Sequence, residues 1–171
     1  MVEKAFDHRL IELDELPDEL QFVHAAWNAA RGRAFAPSRR AFDLLSIPVD
    51  HIPFTSVTDY DTERDAFTIR FFGTGLVAID GCEMTGKHLN ETPHPALRET
   101  LLKLFRRVVD ERHENFAEFS YGLPGRPAPM SLTGRWPLSE DGAAVTGILS
   151  VIHPYQIARE LNEILGHREA V

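Results

Sequence analysis

The sequence predicts an α+β domain in which short helices and one long helix cover one face of a five-stranded antiparallel sheet. Residues 67–71 alternate apolar and polar side chains, the period of a strand with one buried face. Glycines then interrupt residues 73–86, so that only very short helices fit there. Two hairpin-like groups of strands separated by helices favour an antiparallel sheet over a parallel one.

The elements before the sheet are an acidic lead-in, a helix and a connector. Residues 1–20 carry −5 of the net charge of −8, and residues 1–16 are predicted to form an acidic lead-in. A helix is predicted from Pro17, because proline suits the first turn and Gly32 stands just past the expected end. Residues 33–51 show no clear period and are predicted to connect this helix to the sheet. The apolar stripe of the helix consists of Leu20, Val23, Trp27 and Ala30.

The first hairpin and the long helix follow. Strands are expected over Ile52–Tyr60 and Ala66–Phe72, joined by a polar turn. Residues Leu76–Leu89 are predicted to form a lid of short helices. The long helix is expected from Pro95 to about Arg112, because its leucines, Phe105 and a valine recur with helical spacing on one face.

Three further strands and a last helix complete the prediction. The strands are expected over residues 116–121, 130–138 and 145–152. A helix is predicted from Pro154 onwards. The side chains expected to face the helices are Phe67, Ile69, Phe71, Met130, Leu132, Trp136 and alternate residues of 145–152. The chain is thus divided into a lead-in over 1–16, one domain over 17–153 and a C-terminal helix over 154–171.

Composition limits the classes of function. A chain of 171 residues suits one domain. The net charge of −8 argues against a general nucleic-acid binder, although Arg31, Arg33, Arg39 and Arg40 form a local basic patch. No apolar run approaches the ~18 residues of a membrane span, and no signal peptide is recognisable, so a cytoplasmic location is expected. A single cysteine, Cys82, excludes an intramolecular disulfide and a cysteine-built metal cage.

A series of short motifs carries a family resemblance. In order they are Trp27, Arg31-Gly32, Pro37, Arg39 or Arg40, Ile47-Pro48, Arg70-Phe71-Phe72-Gly73-Thr74, Gly81 and Thr85-Gly86. Over roughly residues 20–153 the chain resembles the PAS domains, and it is similar to small stand-alone bacterial PAS-like proteins. It departs from their pattern at Leu44, where a proline is expected. The resemblance implies a non-catalytic sensory or regulatory domain that signals through a protein partner or self-association.

The resemblance also implies a small-molecule site between the sheet and the lid. The ligand itself is unknown. The candidate lining residues are Phe54, Ile69, Phe71, Leu76, Met84, Leu89, Leu101, Phe105, Met130 and Trp136. A protein–protein adaptor whose pocket is filled by its own side chains is the alternative. An enzyme, a further alternative, would show clustered groups of shifted pKa in the pocket.

Several motifs have both a functional and a structural interpretation. The Gly73-x-Gly75-x-x-Ala78 stretch matches part of a dinucleotide fingerprint, but the helix after it is too short for a parallel crossover, so tight packing is favoured. His88 or His94 could ligate haem, although exposed polar histidines are commoner. Cys82 lacks the flavin-adduct motif of photosensory PAS domains and is expected to be structural.

Two arginines each have a structural and a functional interpretation. Arg70 and Arg135 are expected to be solvated or paired surface residues, with binding of an acidic ligand as the alternative.

The apolar stripe of the first helix is wide, because Phe22 and Ala26 extend it, and such a stripe must be buried. A two-fold homodimer through this helix is therefore predicted, with packing on its own domain as the alternative.

Overall fold

The computed structural model describes residues 5–123 and 126–154. Within them, six antiparallel strands form one sheet in the order β1-β4-β5-β6-β2-β3. The strands are β1 (Ala5–Ile11), β2 (Thr55–Asp61), β3 (Ala66–Phe72), β4 (Asn115–Leu123), β5 (Arg126–Leu138) and β6 (Gly147–Pro154). The α-helices are α1 (Asp18–Arg31), α2 (Thr74–Asp80) and α3 (Pro95–Glu111). The predicted α+β class, with an antiparallel sheet and lid helices, is confirmed.

The sheet has one strand more than the five predicted. β1 lies inside the segment expected to be an acidic lead-in and pairs with β4 from Ala5↔Gly122 to Ile11↔Phe116. Phe6 and His8 are half-buried and alternate with the exposed Asp7 and Arg9, whereas the buried Ile11 lies on the opposite face of the strand. The predicted C-terminal helix lies outside the described residues, except that Pro154 belongs to β6.

Helix α1 covers the face of the sheet opposite α2 and α3. Leu20, Val23 and Trp27 are at most 2% exposed and pack with residues such as Trp136 and Leu149 in one apolar cluster. The indole nitrogen of Trp27 donates to the carbonyl oxygen of Pro137 at 2.9 Å. The stripe is therefore buried on its own domain, and these three side chains are not available for contact with a second copy.

Two one-residue register shifts decide which side chains face the lid. Between β2 and β3, Val57 pairs with Phe71 but Thr58 pairs with Ile69, so Arg70 is the extra residue. A similar shift between β4 and β5 makes Met130 the extra residue. An inserted residue turns every side chain beyond it to the other face. For this reason the prediction that Phe71, Leu132 and Trp136 face the lid helices is wrong: they lie on the α1 face.

The glycines before α2 permit close packing. A Cβ atom at Gly73 would collide with the carbonyl group of Pro53, and one at Gly75 would meet the ring of Phe54. Helix α2 is only seven residues long and ends at Gly81, whose φ of 71° is left-handed. These glycines thus allow α2 to pack against the 3-10 helix Val49–Phe54, as the packing interpretation of the motif predicts.

Candidate functional site

A cavity of about 110 Å³ lies between the sheet and the lid. Its roof is formed by α2, α3 and the segment between them, and it is largely apolar. The roof residues include Leu76, Ile79, Met84, Leu89, Leu97, Leu101 and Phe105. An apolar wall of this kind favours the non-polar part of a ligand.

The floor of the cavity is polar although it is buried. The lid-facing residues of β2, β5 and β6 that line it include Ser56, Thr58, Ser131, Thr133, Arg135 and Ser150, each at most 8% exposed. The opposite face of the same strands carries apolar residues, among them Val57, Trp136, Leu149 and Val151. Burying polar groups costs free energy unless they are hydrogen-bonded. The lid face of the central strands is therefore better suited to a polar partner than to packing.

Arg135 is the charged residue of this floor and is only 2% exposed. Its guanidinium carbon lies 5.7 Å from the ring centre of Phe105 and 5.3 Å from that of Phe119. Its Nε and Nη1 atoms have no hydrogen-bond partner within residues 5–123 and 126–154. Burial lowers the pKa of Arg135 to about 9, so the group still carries its charge at neutral pH.

The two arginines singled out from the sequence thus have different surroundings. Arg70 is a paired surface residue, as expected, because its Nε donates to the carboxylate of Asp59 at 2.7 Å. Arg135 is not at the surface. The inserted Met130 turns Arg135 to the lid face, where helices cover it.

Hydroxyl groups surround Arg135 on the floor. Ser150 stands directly opposite Arg135 in the pairing of β5 with β6, and Ser56 stands opposite Ser150 in β2. The Oγ of Ser150 and the Oγ1 of Thr58 are buried without a hydrogen-bond partner in the described part of the chain. Unsatisfied buried hydroxyls can donate to or accept from a polar group in the cavity.

Asp80 brings a carboxyl group to the lid side of the cavity. Burial raises its pKa to about 6, and the charge of His94 acts in the opposite direction. Burial also raises the pKa of the nearby Cys82 thiol, and the negative charge of Asp80 adds to this. Asp80 is therefore close to its titration range at neutral pH.

Seven of the ten predicted lining residues lie around the cavity: Ile69, Leu76, Met84, Leu89, Leu101, Phe105 and Met130. Phe54 packs at Gly75 instead, and Phe71 and Trp136 lie on the α1 face. The polar floor was missed. The sequence feature that could have revealed it is the alternation of Ser131, Thr133 and Arg135 on one face of β5. This face was expected to be in contact with solvent, because the opposite face was predicted to lie under the lid.

The histidines considered for haem lie outside the cavity lining. The Nδ1 of His88 is hydrogen-bonded to Thr68 Oγ1 at 3.1 Å, and the exposed His94 ring lies 5.9 Å from that of Phe6. Within the described ranges, no group of three or more His, Cys, Asp or Glu residues is arranged to hold a metal ion. Of the helices that the structure describes, none combines the length and apolar character required to cross a membrane.

Several solved structures are similar to this chain, and three of them show the level of similarity. The PAS domain of BvgS from Bordetella pertussis is 20% identical with a TM-score of 0.47, over 70% of this chain and 90% of that one. A sensory box histidine kinase/response regulator from Burkholderia thailandensis E264 is 13% identical with a TM-score of 0.37, over 68% and 88%. An RNA-binding light-oxygen-voltage receptor is 9% identical with a TM-score of 0.40, over 99% and 46%.

No family profile and no curated protein matches the sequence. The similarities to solved structures are too low to carry a functional conclusion. The function therefore has to be inferred from the residues of the cavity itself.

Proposed function

We propose that this chain is a non-catalytic, cytoplasmic PAS-type sensory domain that binds a small molecule between its sheet and its lid. The observation that supports this most is the buried polar floor beneath an apolar roof. A pocket filled by its own side chains, as in a pure adaptor, would need no unsatisfied hydroxyls at Thr58 and Ser150. Pocket and floor together favour a sensor over an adaptor.

The construction of the lid supports a regulatory role. Helix α2 has seven residues and the 3-10 helix Leu89–Glu91 has three. Helices this short are not stable alone in water, so their position depends on what they pack against. A molecule in the cavity can therefore shift the lid at a low cost in free energy.

Binding is favoured over catalysis by the arrangement of the titratable groups. Two groups of shifted pKa line the cavity, Asp80 on the lid and Arg135 on the floor, and burial is the main cause of both shifts. Among the described lining residues, no serine or threonine hydroxyl is hydrogen-bonded to a histidine or carboxylate base. The pair that activates a nucleophile is thus missing from this part of the chain.

The route to a partner is proposed on the α1 face of the sheet. The 3-10 helices of the connector expose Leu45 (82%) and Val49 (76%). A groove of about 180 Å³ beside them is lined by residues that include Leu44 and Phe71. Exposed apolar side chains next to a groove are typical of protein contacts. A protein partner or a second copy of the chain would receive the signal here.

The test is to identify what co-purifies with the protein. Freshly purified protein is denatured and the released small molecules are identified by mass spectrometry. A Leu101→Trp variant should fill the cavity from α3, retain its fold and release none of the ligand. Lys103→Trp, on the exposed side of the same helix, should retain the ligand. If neither extraction nor a thermal-shift screen of metabolites finds a ligand for the wild type, the sensor proposal fails and the adaptor replaces it.

A further inference from the structure

We propose that the cavity takes a small organic carboxylate, with the carboxylate group on Arg135 and an apolar body against the roof. This inference rests on the proposed function, because it assumes that the cavity binds a small molecule. It adds the chemical class of that molecule and the residue that selects it.

The first argument is charge. Arg135 is buried, and no aspartate or glutamate in the described ranges forms an ion pair with it. Leaving a buried charge without a counter-charge is costly, and a bound anion removes that cost. Asp80 faces the same cavity from the lid but is not paired with Arg135. The floor therefore lacks one negative charge at the guanidinium.

The second argument is geometry. The Nε and Nη1 atoms of Arg135 are both without a hydrogen-bond partner in the part of the chain that is described. A carboxylate binds arginine in bidentate fashion either through Nε and Nη2 or through Nη1 and Nη2, and this pairing is specific to arginine. Each of the two unpartnered donors of Arg135 therefore belongs to one of these two edges of the guanidinium, to which a carboxylate can bind. The rings of Phe105 and Phe119 hold the guanidinium in place without consuming its donors.

The third argument is size and charge count. The cavity, at about 110 Å³, is slightly smaller than an apolar cavity of ~150 Å³ that holds benzene. Arg135 is the one lysine or arginine among the described lining residues. One cation in so small a space suits a monoanion with a ring or branched body better than a nucleotide or a phosphate diester. The hydroxyls of Ser150 and Thr58 can bind a second oxygen of such a molecule.

The test uses benzoate, phenylacetate and isovalerate as probes, with benzamide and benzyl alcohol as uncharged analogues. Each is added to the full chain and the melting temperature is measured. At 100 times its dissociation constant, a carboxylate should raise the melting temperature by about 5 °C or more. Arg135→Met should abolish this rise and, because it removes a buried charge, should melt no lower than the wild type.

Two control variants distinguish binding of the carboxylate by Arg135 from a general effect of removing an arginine. Arg70→Met removes an arginine that is paired with Asp59 at the surface and should retain the full response. Arg135→Lys retains the charge but not the bidentate donors, so it should bind the probes more weakly.

Three outcomes would overturn the inference. Equal stabilisation of wild type and Arg135→Met by the carboxylates means that Arg135 does not bind them. Equal stabilisation by the uncharged analogues means that the site binds small molecules without selecting an anion, and the proposed function survives. If neither the probes nor a metabolite library stabilise the wild type, both the inference and the proposed function fail.

Discussion

Replacing Asp80 by asparagine should stabilise the protein at neutral pH and have a smaller effect in acid. Asp80 has a folded-state pKa of about 6, whereas an ordinary aspartate has 3.8. The folded state therefore binds this proton more tightly than the unfolded state does. As the pH rises from about 4 to about 6, ionisation of Asp80 costs the folded state free energy, and above that range the full cost remains.

The magnitude follows from the two pKa values. A difference of about 2 pKa units corresponds to about 3 kcal/mol at pH 7.5, and to about 1 kcal/mol at pH 4.5, where the unfolded carboxyl is only partly ionised. Asp80 is partly exposed, so solvent screening reduces both values. We expect Asp80→Asn to raise the melting temperature at pH 7.5 by at least about 3 °C in a domain of this size.

The assay is urea unfolding of wild type and variant, followed by tryptophan fluorescence at pH 4.5 and 7.5. Glu63→Gln removes one negative charge from an exposed turn and should leave the stability nearly unchanged at both values. If Asp80→Asn is no more stable than the wild type at pH 7.5, or if its gain is the same at both values, the carboxyl is not held in a desolvated site and the reasoning is wrong.

Three further predictions concern the α1 face. Gly134→Ala should destabilise the protein by about 1–3 kcal/mol in urea unfolding, because a Cβ there collides with the indole ring of Trp136. Trp27→Phe should cost about 1–3 kcal/mol, since it leaves the buried carbonyl of Pro137 without its donor; Phe22→Leu, on the exposed side of α1, serves as the control. Leu20→Glu should unfold the protein rather than dissociate a dimer, because Leu20 is fully buried in its own domain. Circular dichroism reports the fold and light scattering reports the oligomeric state. If the wild type is a dimer and the variant is a folded monomer, α1 forms the dimer interface and this prediction is wrong.

The order and type of the elements could be predicted because local patterns specify them. The predicted strand Ala66–Phe72 has the observed bounds, and the predicted start of α3 at Pro95 is also the observed one. Strand β1 was not predicted, because its pairing with β4 joins residues more than a hundred positions apart and charged residues mask its period. Long-range pairing leaves little trace in the local composition of an edge strand.

The candidate site could be predicted only on its roof. Leu76, Met84 and Leu101 belong to short apolar segments that have to pack on the sheet, and the spacing of apolar residues along the sequence predicts that they are buried there. The floor depends on the extra residues Arg70 and Met130, because each shift exchanges the two faces of a strand. An unshifted alternation puts Trp136 under the lid and Arg135 in water, whereas the structure has Arg135 under the lid and Trp136 buried against α1.

The two register shifts place the residues that stabilise the domain and the residues proposed to bind a ligand on opposite faces of the sheet. One face of the central strands carries Trp136, Leu149 and Val151, which are fully buried and pack against α1. Because this face and α1 supply much of the apolar core, the other face can keep Arg135 and its neighbouring hydroxyls, which contribute little to packing. Substitutions on the α1 face should then change stability, whereas substitutions on the floor should change binding with little loss of stability. Arg135→Met is the sharpest case, because it removes the central polar group of the floor and leaves the α1 core untouched.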